Sequence, residues 1–124
     1  MQISRNFLVI GVVFLLSGIG LGMYMAGSGD TALAPLHAHI NLLGFTLMTV
    51  FGLVYRVIPA MAATGLARAH FWLHAAGSVM LLGMLALLLS GRITEAGMVP
   101  VAPFAELLVL LGVVTFGWNL WRNA

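Results

Sequence analysis

The chain of 124 residues contains no cysteine and no lysine. Without cysteine there is no disulfide, thiolate metal centre, iron–sulfur cluster or thioether-attached haem. Acids are almost missing as well: Asp30, Glu95 and Glu106 are the only three, set against five arginines. Charged residues make up 6% of the chain, where a soluble domain carries about 25%. Five scattered cations do not form a nucleic-acid surface, so no nucleic-acid partner is expected. What remains is apolar: 62% of the residues are hydrophobic and the mean hydropathy is +1.12. A bilayer span takes about 20 apolar residues. The length therefore accommodates four spans in one domain, residues 1–124, with almost nothing outside the lipid. The expected class is an all-α integral membrane protein.

Uncharged stretches predict transmembrane helices at about 7–26, 36–58, 69–90 and 104–121. The breaks between them are short, so consecutive helices should be antiparallel neighbours. Arg5, Arg56, Arg68 and Arg122 then gather at one end, and Asp30, Arg92 and Glu95 at the other. Arginine-rich loops stay in the cytoplasm, which puts both termini inside a multi-pass protein of a bacterial-type inner membrane. A cleaved signal peptide is the alternative reading of the first span, because Arg5 precedes an apolar run. The length of that run and a weak Ala26-Gly27-Ser28 site favour a permanent helix. Gly11, Gly18 and Gly22 give it a small-residue stripe with a GxxxG step, which suits close packing on another helix.

The second span opens with Leu36-His37-Ala38-His39. Imidazole inside a membrane span is costly and marks a binding site. Residues two apart on a helix are rotated by about 200°, so His37 and His39 point to opposite sides. Such a pair does not chelate one metal ion; it offers one axial ligand to a cofactor on each side. His37 shares its side with Asn41, Gly44, Met48 and Tyr55, whereas His39 shares its side with Leu43, Thr46, Val50 and Leu53. Both stripes suit a flat cofactor pocket, with Gly44 letting a ring approach the backbone. The alternative is that both imidazoles sit at the membrane interface, hydrogen-bonded to water or headgroups near Pro35.

His37-x-His39, Leu43-Gly44, Gly52, Tyr55 and Pro59 together resemble the histidine-bearing span in the last third of subunit I of the C-type (cbb) haem-copper oxidases. The Asn41-Leu42-Leu43 run also resembles the first histidine span of those oxidases and of nitric oxide reductases. The resemblance implies a four-helix unit equivalent to one third of the twelve-helix oxidase subunit. It further implies that His37 matches the ligand of the high-spin haem and His39 that of the low-spin haem. The chain departs from the family in having no adjacent histidine pair, only four histidines in all, and no proton-channel acids or lysines. Reduction of oxygen or nitric oxide, and hence enzyme activity, is not expected of a lone protomer.

His70 and His74, spaced i, i+4, share one face of the third span and could chelate one metal ion; a structural or interfacial role is the alternative. Phe71-Trp72 between them reads as an interfacial aromatic belt. The two histidine pairs are expected toward opposite membrane faces, roughly 20 Å apart at 1.5 Å rise per residue. Glu106 is read either as a cap in the first turn of the fourth helix or as a partner of His37 or His39. Met23 and Met25 are a candidate copper pair, with interfacial packing as the other reading.

The expected function is a haem b-binding membrane cytochrome for electron transfer or for gas or redox sensing, with a quinol or cytochrome as redox partner. The alternatives are a copper- or haem-handling protein, with copper as cofactor, and a cofactor-free accessory or assembly subunit of a respiratory oxidase. Because His37 and His39 face opposite ways, a haem shared between protomers would join unlike faces and either close a ring or run into a filament. The three-arc oxidase subunit suggests a homotrimer, and a twofold dimer pairing His39 with its own copy is the rival.

Overall fold

The computed structural model describes residues 2–124, and all of its regular structure is helical. Four long helices are apolar and long enough to cross a membrane: α1 (Ile3–Ser28), α2 (Ala34–Val57), α4 (Gly65–Leu89) and α5 (Val101–Asn123). A short α3 (Pro59–Ala62) and a 3₁₀ turn (Glu95–Met98) occupy two of the connections. The protein is thus a four-helix, multi-pass membrane protein.

The helices run up to four residues past the bounds read from charge, because a charge does not end a helix; a change of backbone conformation does. α1 continues to Gly29, whose φ of 71° lets its N–H close on Met25 O at 3.0 Å. α4 begins four residues early, at Gly65, where the Thr64 hydroxyl accepts the Ala67 N–H at 3.1 Å. It ends at Gly91, φ 76°, with the paired bonds Gly91 N–H to Leu88 O and Arg92 N–H to Leu87 O that finish a helix on a left-handed residue. α5 begins at Val101 and absorbs Pro103, which is tolerated because first-turn N–H groups have no partner in the helix.

The helices pack as two antiparallel pairs, α1 with α2 and α4 with α5. Small residues set both seams. In the first pair, Gly11 lies against Thr49, Gly18 against Asn41, Gly22 against His37 and Gly52 against Leu8. In the second, Gly77 lies against Val109 and Gly112 against the backbone of His74. The expected glycine stripe of α1 is therefore the seam with α2. Close backbone approach through small residues is how helices associate where lipid removes the hydrophobic difference between inside and outside.

The pairs meet through an aromatic core in the arginine-rich half of the bundle. Phe7, Phe51, Tyr55 and Phe71 are buried there, with Met48 and Met61 around them. Phe7 stacks on Tyr55 at 5.7 Å between ring centroids and meets Phe71 edge-on at 5.1 Å. Asn119 ties the connecting segment to α5: its amide donates to Met61 O at 3.1 Å, and its oxygen accepts from Thr64 and Asn123.

Candidate functional site

α2 contains seven residues of π-helix, Ile40–Thr46, beginning directly after His39. There the Leu47 N–H bonds Leu42 O rather than Leu43 O. The displaced Leu43 carbonyl accepts from the Nε2–H of His74 on α4 at 3.0 Å. A side chain inserted into the backbone ladder is a recognised cause of such a widened turn, and these turns cluster at functional sites.

His37 and His39 face opposite ways, as their spacing predicts. His37 is half-buried, and its stripe runs into the bundle, where Gly44, Met48 and Tyr55 are all buried. Its ring lies over Gly22, and its Nε2 accepts from Asn41 Nδ2 at 3.2 Å while Nδ1 is buried without a partner. Gly44 does let a ring approach the backbone, but the ring is Phe14 of α1. The face of α2 read as one cofactor pocket is therefore filled by α1. Nor do its residues form one group: His37, Asn41 and Gly44 stay at one end, while Met48 and Tyr55 join the aromatic core. Tyr55 sits about 27 Å from His37 along the helix.

His39 is exposed, and so are Leu42, Thr46, Val50 and Leu53 along the outward stripe of α2. Leu43, expected on that stripe, is half-buried with its carbonyl turned to His74. His39 Nδ1–H donates to Pro35 O at 2.7 Å. A carbonyl can only accept, so Nδ1 carries the proton and Nε2 keeps a free lone pair. Pro35 is what its own chain position supplies: a first-turn residue four before His39.

His70 and His74 are fully buried in the core rather than interfacial. His70 Nδ1 and the Tyr55 hydroxyl share a hydrogen bond of 2.9 Å, and Phe51 lies edge-on to both imidazoles at 4.4 and 5.1 Å. His74 is deeper than its place in the sequence suggests, since Leu43 is only one turn from His39. His70 Nε2, His74 Nδ1 and Ser78 Oγ are buried without partners. Among the described residues no three His, Cys, Asp or Glu side chains gather as a metal-holding group.

Trp72 is exposed while Phe71 enters the core, so only the tryptophan is placed to act as a belt residue. Glu106 is exposed and lies beyond the first turn of α5, because that helix begins at Val101. Its capping role is corrected accordingly. α5 packs chiefly on α4 and meets α2 through Phe116, which lies on Phe51 and Tyr55. The ring nitrogens of His39 and His37 that are bonded take Pro35 O and Asn41 as partners, not Glu106. Met23 is exposed at the end of α1. Sequence reasoning missed Asn119, although an amide among apolar residues in the last turns of a span is itself a signal for a buried hydrogen-bond junction. No protein-family model, curated protein or solved structure matches this chain.

Proposed function

We propose that this protein is a small membrane cytochrome, holding haem b through His39 at a contact between protomers and serving electron transfer or redox or gas sensing. One observation carries the reading. His39 stands exposed on the outer face of α2, with Nδ1–H held by Pro35 O at 2.7 Å and Nε2 left free. Metal-ligating histidines characteristically donate their other ring N–H to a carbonyl or carboxylate, which fixes both the tautomer and the ring orientation. An imidazole on a lipid-facing stripe is otherwise costly. Haem, when bound, supplies an iron that changes oxidation state; the chain supplies the ligand, its orientation and an apolar wall from Leu42, Val50 and Leu53. The resemblance of this span to that of the C-type oxidases supports the same reading and a bacterial-type inner membrane. The arginine bias supports cytoplasmic termini.

His37 fits the role less well. Its Nε2 is engaged by Asn41, and its ring is enclosed by α1. A trimer pairing His39 with His37 of the next copy requires that bond to break, whereas a twofold dimer pairing His39 with its own copy requires no rearrangement. The geometry therefore favours the dimer.

Purified protein supplied with haem should show a sharp Soret band that His39→Ala abolishes and His70→Phe leaves nearly intact. Native mass spectrometry should find two protomers per haem. Loss of the band in His70→Phe but not in His39→Ala would sink the assignment. Bound metal without a Soret band would favour a copper-handling protein, and neither would favour a cofactor-free accessory subunit. Three protomers with up to three haems would restore the ring.

A further inference from the structure

A groove of about 540 Å³ lies between α1 and α4 at the arginine-rich end of the bundle. It is far from His37 and His39 and takes no part in the reading above. Its mouth is polar, made by Gln2, which precedes α1, and by Arg5 and Asn6 near the start of that helix. Its wall one turn deeper is apolar, made by Val9 and Ile10, with Phe71 and Trp72 contributed by α4. The groove thus passes along the membrane normal from a charged rim to a hydrocarbon-like floor. That polarity gradient matches an amphipathic molecule with its head at the surface and its chain in the bilayer.

The charge of the rim decides which one. Arg5 is exposed, and Asp30, Glu95 and Glu106 all belong to the opposite end of the bundle. Among the described residues no aspartate or glutamate side chain is placed to pair with it. Arg56, Arg68 and Arg122 share the end with Arg5, so the local field attracts anions. Guanidinium with neighbouring amide donors is the chemistry that recognises phosphate oxygens. Trp72, 62% exposed, is placed for the headgroup level, where indole is favoured. A quinol fits less well, because its oxidation needs a proton acceptor and the lining contains no histidine or carboxylate.

We infer that this groove is a binding site for an anionic phospholipid, its phosphate held by Arg5 and Asn6 and one acyl chain laid along Val9 and Ile10. Basic pockets between membrane helices recognise anionic headgroups in this manner, with each surface arginine contributing about fivefold in affinity.

Native mass spectrometry of the full chain in detergent, titrated separately with phosphatidylglycerol, phosphatidylcholine and decylubiquinone, tests the site. Phosphatidylglycerol should bind in preference to phosphatidylcholine, one per protomer. Arg5→Gln should lower that preference about fivefold, and Val9→Trp should block binding by filling the wall. Arg68→Gln, at the same end but outside the groove, should change it little. Equal losses in Arg5→Gln and Arg68→Gln would reduce the effect to general surface charge and overturn the site. Displacement of the lipid by inorganic phosphate would overturn the lipid assignment, as would tighter binding of decylubiquinone. Because Arg5 and Val9 are exposed, both variants should keep the wild-type elution volume and helical circular dichroism.

Discussion

At the scale of single residues, the polar side chains of this protein divide by what holds them. The Tyr55 hydroxyl and His70 Nδ1 pair across 2.9 Å in a core closed by Phe7, Phe51 and Phe116. Tyr55→Phe keeps the ring and removes the hydroxyl, leaving His70 Nδ1 buried without its partner. The expected cost is about 1–3 kcal/mol, read from unfolding in detergent. A cycle with His70→Phe should show coupling above about 0.5 kcal/mol, and independent, additive losses would deny the pairing. His39 belongs to the opposite class. It is exposed and oriented only by Pro35, so His39→Ala should cost little stability while removing the proposed ligand. The contrast could not be read from the sequence, because which face of each span turns inward is decided by packing between helices and not by local pattern.

At the scale of the elements, glycine placement decides how α1 and α2 meet. A methyl group at Gly44 would collide with the Cβ and ring of Phe14, whereas one at Gly20 would meet nothing within 4 Å. Gly44→Ala should therefore destabilise by about 1–3 kcal/mol, as overpacking does. Gly20→Ala should stabilise by about 0.5–1 kcal/mol through helix propensity alone. Equal shifts in the two thermal unfolding curves would remove the seam argument. The GxxxG step of α1 was legible because small residues four apart mark a packing face. The π turn of α2 was not. It depends on the Leu43 carbonyl meeting His74, 31 residues later in the chain, and no local pattern encodes that meeting.

For the whole molecule, charge sets direction while packing sets neighbours. Four arginines at one end predict that single cysteines replacing Asp30 and Arg92 react with a membrane-impermeant maleimide on intact cells. A cysteine replacing Arg68 should react only after permeabilisation. The native chain contains no cysteine, so the background is clean. Labelling of the Arg68 site alone on intact cells would invert the orientation, and labelling of all three would break the four-span topology. The pairing of α4 with α5, by contrast, has no charge signature. It rests on Gly77 and Gly112 receiving Val109 and the backbone of His74.

The sequence by itself determined the number of spans, their antiparallel order and the opposed directions of His37 and His39, because hydropathy, loop length and helical period are local quantities. Only the tertiary structure decided which apolar face is internal, since lipid and protein core are alike in polarity and shape alone separates them. That is why Gly44 receives Phe14 rather than a cofactor, why Tyr55 leaves the His37 stripe for His70, and why His74 reaches the middle of α2.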